Sequence, residues 1–513
     1  MKVLLVNTSS YYVKQKAALP LGLLSIATFL KQKGHEPIVF DTTVQGGSIK
    51  KYIKKYKPDI VGLSLPGSMS INNALKLSKI VKDYKIPVVW GGPTASLIPE
   101  LSLDSGVVDY VIIGDGEITF LELIETFEGK RNIEDVLSLA YLKDGEKHIN
   151  ELRKPVDLSQ MPVIDFTFVN PERYFNKNRG CERMVHVYAS KGCTGVCSFC
   201  YNTGYDKKRW RSRPFENVIE ELKYLKENHG VDGVYFVDDL LSPTQEHLEK
   251  FCQALIDSDL GLYWSCDMRA DLMTKEGIDL MYKAGCRWVM FGIESGTKEG
   301  QKQICKNLDL DKVREILDYL DEVGIYSTVT FILGFRYQTK GDLNETVEYM
   351  KSINAKSYVV GVYGPFPGSD MYGQMVEEGV IAPFETFDDW SRNANMQTIG
   401  NNLSELKPRE LRVIINYFLF LIFTAKHELN GEKKHYWVGR LAFQIKDMLA
   451  RGNLRSFLLV LLSAKEFLEI VFYALAFPGI RKKYGLYLSS KKREEEKKRI
   501  LKKYGITPHS AEE

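Results

Sequence analysis

Cysteine is scarce in this 513-residue chain: eight residues with no regular framework spacing. That excludes a disulfide-stapled secreted scaffold and leaves thiols as ligands or small core residues in a reducing interior. Net charge is nearly absent, +3 from 69 basic and 66 acidic residues, so no overall field draws the chain to nucleic acid or a membrane. Long apolar runs are missing as well. Val413 to Ala425 falls short of the roughly 20 residues a membrane span needs, and Phe457 to Ile480 is broken by Lys465, Glu466 and Glu469. The opening MKVLLVNTSS lacks a secretory apolar region and reads as a buried first strand, so a cytoplasmic location is expected. There is no internal repeat or low-complexity stretch, and no GxGxxG follows the first strand. Asn7-Thr8-Ser9-Ser10-Tyr11-Tyr12 stands there instead, which disfavours a nicotinamide dinucleotide site. With 44% hydrophobic and 26% charged residues, the chain is a folded protein with room for two or three domains.

Apolar runs at 2–7, 37–40, 59–64, 87–90 and 109–114 alternate with amphipathic stretches over residues 1–150. Five strands alternating with helices predict a doubly wound, Rossmann-like α/β domain with a five-strand parallel sheet. Ligands of such sheets bind at the carboxyl ends of the strands. The loops there are small, polar and glycine-rich: 7–10, 64–68 (with Ser64, Gly67 and Ser68), 91–96 (with Gly91, Gly92 and Thr94) and 114–117 (with Gly114, Gly116 and Glu117). They let a large ligand approach the backbone closely. Residues 151–183 lack a period and read as a linker. A second alternation, with strands expected at 184–192, 233–240, 262–270, 287–295, 326–335 and 357–367, gives six strand-helix units over 184–385. Since the full barrel takes eight units in about 250 residues, this predicts a partial, TIM-like (β/α)6 barrel with its chemistry at the strands' carboxyl ends. Residues 386–513 are expected to be helical, ending in the solvated, charge-paired segment 491–505.

Three of the eight cysteines stand within eight residues. Cys193, Cys197 and Cys200 have the spacing C-x3-C-x2-C in a loop directly after a strand, with Gly192 and Gly195 giving the backbone freedom to wrap one inorganic centre. Thiolates suit zinc or an iron-sulfur cluster. A closed zinc site needs a fourth ligand, for which Cys181 and His186 are the only neighbours, whereas three ligands on a four-iron cluster leave one iron open for chemistry. Cys266, in the third barrel strand, is either a core thiol or a hydrogen donor facing the active site; Tyr363, on the sixth, is a candidate lining residue. Both are retained as catalytic candidates.

The string Cys193-x3-Cys197-x-Phe199-Cys200, after the first strand of a six-unit barrel, resembles the radical S-adenosylmethionine (SAM) superfamily. The resemblance implies a 4Fe-4S cluster on Cys193, Cys197 and Cys200, with SAM chelated to the open iron and cleaved to a 5'-deoxyadenosyl radical. It places Phe199 near the adenine and Asp238 or Asp239, Arg269 and Glu294 as further SAM contacts. On the fifth strand Leu333-Gly334-Phe335-Arg336 departs from the Gly-x-Pro common in that superfamily. With the domain that precedes the barrel, residues 1–385 resemble the cobalamin-binding radical SAM proteins, which makes the loops at 64–68, 91–96 and 114–117 cobalamin contacts. No D-x-H-x-x-G string is present and His35 precedes the second strand, so cobalamin without a protein histidine on cobalt is expected. The implied activity is methylation of an unactivated carbon through methylcobalamin. Oxidative cyclisation or ring rearrangement with the same cofactors is the alternative, and a non-catalytic iron-sulfur redox or regulatory protein is a third reading. Methylthiolation is disfavoured because the first cysteine is Cys181. The expected partners are a small-molecule, hydrophobic substrate and a flavodoxin- or ferredoxin-type electron donor, with no nucleic acid. The apolar stretches 418–425 and 457–477 suit the core of a helical domain, a cap over the substrate, or peripheral contact with a membrane.

Overall fold

A computed structural model describes residues 1–9, 17–45, 48–178, 180–205, 208–393, 401–424, 426–429 and 432–435, with scattered residues between 465 and 483. The chain divides into two compact units, one formed by 1–267, 283–285 and 365–395, the other by 268–282, 286–364 and 396–513.

The first unit opens with the strands β1 (Lys2–Asn7), β2 (Glu36–Asp41), β3 (Ile60–Ser64), β4 (Val88–Gly91) and β5 (Tyr110–Ile112). They pair in parallel in the order β2-β1-β3-β4-β5. Their continuous apolar character reflects burial on both faces: Leu4, Val6, Val61, Leu63, Val88, Trp90 and Val111 share one core with Ile71 and Ala74 of the helix Ile71–Lys82. Registry aligns Asn7 with both Asp41 and Ser64, and Ser64 with Gly91, so the polar loops emerge from one edge.

Two further strands, β6 (Leu139–Lys143) and β7 (Glu146–Ile149), extend this sheet antiparallel beyond the five expected. Their signal is Asp144-Gly145, both at positive φ, the pair favoured in a two-residue hairpin turn. The linker is ordered by packing rather than by periodicity. Val156, Leu158 and Met161 pack on Phe29 and Ile118, and the Tyr174 hydroxyl donates to the buried Asp41 carboxylate at 3.1 Å. It ends in β8 (Asn176–Asn178), antiparallel to β9 (Cys181–Val187).

The expected first barrel strand, 184–192, is two elements. β9 stops at Val187, and the chain then forms a hairpin of β10 (Ser190–Gly192) with β11 (Trp210–Ser212). β12 (Gly233–Phe236) and β13 (Tyr263–Met268) continue the sheet in parallel from β9.

In the second unit β14 (Cys286–Glu294), β15 (Tyr326–Leu333) and β16 (Ser357–Val362) are parallel, with helices at Leu310–Val323 and Lys340–Ser352. The first of these helices ends on Gly324 at φ 90, the left-handed cap its sequence predicts. Strand order is β13-β12-β9-β8 in the first unit and β16-β15-β14 in the second, and all six expected barrel strands are present.

The apolar helix Pro408–Thr424 carries Phe418, whose ring lies 6.0 Å from that of Tyr358 on β16. It is followed by the antiparallel pair β17 (Lys426–Leu429) and β18 (Glu432–His435), a short hairpin within the region expected to be helical. Most of 457–477, and all of 491–505, lie outside the described residues. Among the described residues no helix is long and apolar enough to cross a membrane.

Candidate active site

Cys193, Cys197 and Cys200 occupy the loop between β10 and the short helix Asn202–Tyr205. The loop is wound by its own backbone: Gly195 N–H donates to Cys193 Sγ at 3.3 Å and Cys200 N–H to the Cys197 carbonyl at 3.1 Å. All three cysteines, and Phe199, are half-buried. Burial pushes the Cys200 thiol up to about 12, and the neighbouring Cys197, Asp239 and Cys193 add to the shift, so the three thiols stand within electrostatic reach of one another. Cys181 is remote from this loop. It begins β9, fully buried, where its Sγ fills the space that a Cβ on Gly233 would need. Among the described residues no three metal-ligating side chains converge as a single ion would require. A four-iron cluster, being larger, takes its thiolates from further apart.

The two aspartates after β12 have different surroundings. Asp238 is buried and accepts from Ala189 N–H at 3.1 Å, from Ser190 Oγ at 2.5 Å and from Ser190 N–H. It braces the base of the hairpin and is not presented to a ligand, which corrects the expectation for this residue. Burial pushes its carboxyl up to about 7 against these hydrogen bonds. The unfolded chain would release that proton near pH 4 and the folded chain only near 7. Stability therefore falls as pH rises across that window. Asp238→Asn is expected to flatten the fall, on the order of 2–4 kcal/mol between pH 5 and 8, as read from urea midpoints.

Asp239 is reached by solvent yet surrounded by protein, as a side chain lining a cavity would be. Asn202, Tyr201 and the Gly192 backbone lie against it, and burial raises its pKa. Registry also sorts the barrel faces. Phe236 pairs with Cys266 and packs on Phe251 of the helix Gln245–Asp257, so Cys266 faces the helices and is fully buried. Of the two readings open for Cys266, this placement is that of the core thiol. The opposite face carries His186, Tyr235 and Asp267, where the Tyr235 hydroxyl donates to Asp267 at 2.6 Å and its ring lies 5.7 Å from His186. Tyr235 and Asp267 were missed, although the alternation within β12 and β13 was their signal.

In the second unit Arg269 forks onto Asp271 at 2.9 and 3.1 Å and donates to the Lys306 carbonyl at 3.0 Å. Glu294, at φ 66 beside a register shift in β14, accepts from Lys306 Nζ at 3.1 Å and Thr330 Oγ1 at 3.0 Å. A left-handed conformation for glutamate at a strand end is the kind of strain that functional positions hold. Tyr363, just beyond β16, is 1% exposed and packs 4.8 Å from Phe335, and its hydroxyl has no hydrogen-bond partner among the described residues. Burial raises its pKa.

At the sheet edge of the first domain, a Cβ added to Gly67 or Gly114 would meet nothing within 4 Å, and at Gly91 only Ile112 at 3.9 Å. Gly92, at φ 90, packs against the Leu65 backbone, and Gly116 against Ile26, so both are structural. Ser64 is half-buried, while Ser68 and Thr94 are buried. Glu117 is 2% exposed and engaged by Ser25 Oγ at 2.7 Å and Lys191 Nζ at 3.4 Å. Its carboxylate is thereby withheld from a ligand, a correction to its expected role. His35 lies at the opposite edge, 3.2 Å from the N-terminal amine.

Residues 187–350 match the radical SAM superfamily and residues 15–124 the B12-binding domain. The chain carries a radical SAM domain and a B12-binding domain. This radical SAM enzyme is similar to an uncharacterized methyltransferase of Pyrococcus horikoshii, 27% identical over 370 residues, covering 71% of this chain and 79% of the relative. It is also similar to the cytidylyl-2-hydroxyethylphosphonate methyltransferase of Streptomyces wedmorensis, 26% identical over 449 residues, covering 75% and 83%. Among solved structures, the cobalamin-dependent SAM radical enzyme OxsB, with aqua-cobalamin and SAM bound, shares the fold with a TM-score of 0.67 at 16% identity, covering 98% of this chain and 84% of that one.

The cofactors of such a radical SAM enzyme are a 4Fe-4S cluster, SAM and cobalamin. The residues fit them. Three thiols share one loop, and the open backbone at Gly67 and Gly114 lies at the sheet edge where a large planar ligand would rest.

Proposed function

We propose that the chain is a cobalamin-dependent C-methyltransferase acting on an unactivated carbon of a small-molecule substrate. The observation that carries this reading is the three-thiol loop, held in the same compact unit as the open-backbone edge of the B12-binding domain. When bound, the cluster supplies the electron that cleaves SAM, and cobalamin supplies a carrier for the methyl group. The protein's own residues bind, orient and exclude water.

Cys193, Cys197 and Cys200 hold the cluster and leave one iron open, and Phe199 lies beside the adenine. Asp239 takes the SAM ammonium or a ribose hydroxyl. Its exposed carboxylate beside Cys200 supports that role. Arg269 and Glu294 serve SAM from their strand ends, Arg269 as a donor already oriented by Asp271 and Glu294 as an acceptor fixed by Lys306 and Thr330. Ser64, Gly67, Ser68, Gly91, Thr94 and Gly114 line the cobalamin edge. Tyr363 offers a buried hydroxyl, and Tyr235 with Asp267 a polar pair on the barrel's inner face, so the substrate carries at least one hydrogen-bonding group beside its apolar part. A flavodoxin- or ferredoxin-type donor supplies the electron.

Anaerobic turnover with SAM, a reductant and candidate substrates tests the reading. S-adenosylhomocysteine, 5'-deoxyadenosine and methylated product are expected together, the first two in about equal amounts because each methyl transferred consumes two SAM molecules. Deoxyadenosine with a cyclised or rearranged product and no S-adenosylhomocysteine would replace methylation by the ring-forming alternative.

A further inference from the structure

The hairpin that leads into Cys193 carries an unfavourable charge pairing. Lys191 on β10 and Arg211 on β11 are direct cross-strand partners, and like charges facing each other destabilise a ladder. Asp115, from the loop after β5 in the first domain, offsets that repulsion. Its Oδ1 accepts from Lys191 Nζ at 3.0 Å and its Oδ2 from Arg211 Nη1 at 2.6 Å. Oδ2 also accepts from the Val156 N–H of the linker at 3.2 Å, while Arg211 donates to the Val156 carbonyl at 2.8 Å. Glu117, fixed by Ser25, gives Lys191 a second acceptor. Asp115 stands at the head of the helix Gly116–Phe127, whose N-terminal N–H groups favour a negative charge there. On the hairpin's other side Trp210 Nε1 donates to the Leu240 carbonyl at 2.7 Å, and Ser190 is bound to Asp238.

We propose that Asp115 is a positioning residue for the cysteine loop. Through one carboxylate the B12-binding domain grips both strands of the hairpin that delivers Cys193, so the cluster's place is set from the first domain as well as from the barrel. The inference rests on the reading of Cys193, Cys197 and Cys200 as cluster ligands. It adds that the loop after β5 serves the iron site as well as the corrin edge.

The test uses full-length protein reconstituted with iron and sulfide. Iron withdrawal by excess chelator is timed well below the melting temperature, and the reduced cluster is examined by low-temperature EPR with and without SAM. Asp115→Asn is expected to speed iron release roughly tenfold, the scale of losing hydrogen bonds to a charged group, and to broaden the EPR signal. Lys191→Arg keeps the charge and is expected to release iron at nearly the wild-type rate. Glu122, on the helix that Asp115 heads, pairs with Arg131 and Arg153 away from the hairpin, and Glu122→Gln is expected to leave release unchanged. Wild-type release from Asp115→Asn, or equal acceleration in Glu122→Gln, would overturn the proposal. If Asp115→Asn does not fold, Arg211→Gln takes its place, removing one arm of the bridge with an expected acceleration of roughly threefold; wild-type release then overturns the proposal as well. A wild-type protein that takes up no iron refutes the cluster reading itself, a separate and recognisable result.

Discussion

Cys197→Ala is expected to abolish cluster binding and, with it, deoxyadenosine formation. The physical reason is that the ligand set acts as a unit: two thiolates leave two irons open, and the cluster is no longer held against solvent. The loss is at least on the order of a thousandfold, the scale seen when one member of an interdependent catalytic set is removed. Iron and sulfide content after anaerobic reconstitution should fall together with deoxyadenosine, while the melting temperature of the metal-free protein barely moves, because Cys197 is only half-buried and fills no core space. Cys181→Ala supplies the contrast. That thiol is buried against Gly233 at the start of β9, so its removal leaves iron content unchanged and affects packing alone. Deoxyadenosine formation persisting in Cys197→Ala would remove the basis for the radical reading. Iron lost in Cys181→Ala would restore a fourth protein ligand and point to a closed, electron-carrying cluster.

Much of this architecture was legible because it depends on local patterns. Continuous apolar runs marked β1 to β5, and the spacing of three cysteines marked the loop, since both follow from residues near each other in sequence. What was not legible depends on where distant segments meet. Asp238 and Asp239 are adjacent in sequence, and nothing local separates the one that braces Ala189 and Ser190 from the one open beside Cys200. Glu117 looked like a loop carboxylate for a ligand until Lys191, 74 residues away, proved to hold it. Cys266 was ambiguous because a one-residue shift in registry reverses the face a strand residue presents, and only the pairing with Phe236 fixes it. The β6–β7 hairpin is a different case. Asp144-Gly145 is a local turn signal, set within a stretch where the alternation of strand and helix is the stronger pattern.

Glu221→Gln is expected to be among the most destabilising single substitutions in the chain. Arg213 and Glu221 are each about 2% exposed, and Arg213 Nη1 donates to Glu221 Oε2 at 2.9 Å, with a second, shorter contact between Nη2 and Oε1. The pair ties three elements together. Arg213 Nη1 also donates to the Tyr188 carbonyl at 2.9 Å while the guanidinium lies 4.5 Å over the Tyr188 ring, and Glu221 Oε1 accepts from the Ile164 N–H of the linker at 2.6 Å. Removing one charge leaves the other buried without compensation, a loss of about 3–5 kcal/mol, which should appear as a lower urea midpoint with little change in slope. Desolvation nevertheless weighs against the native pair, since Arg213 Nε has no partner among the described residues. Arg213→Met combined with Glu221→Leu should therefore recover part of the loss, because no buried charge is left, while the Ile164 N–H and the Tyr188 carbonyl lose their side-chain partners. Because Arg213 N–H also donates to the Ala189 carbonyl at 2.8 Å, at the base of the hairpin that carries Cys193, the single variant should in addition shed iron faster, and the double variant should release it more slowly than the single one. If Glu221→Gln melts like the wild type, the charge on Glu221 is not what holds the linker and hairpin together, and the backbone bond between Arg213 and Ala189 suffices to anchor the cysteine loop.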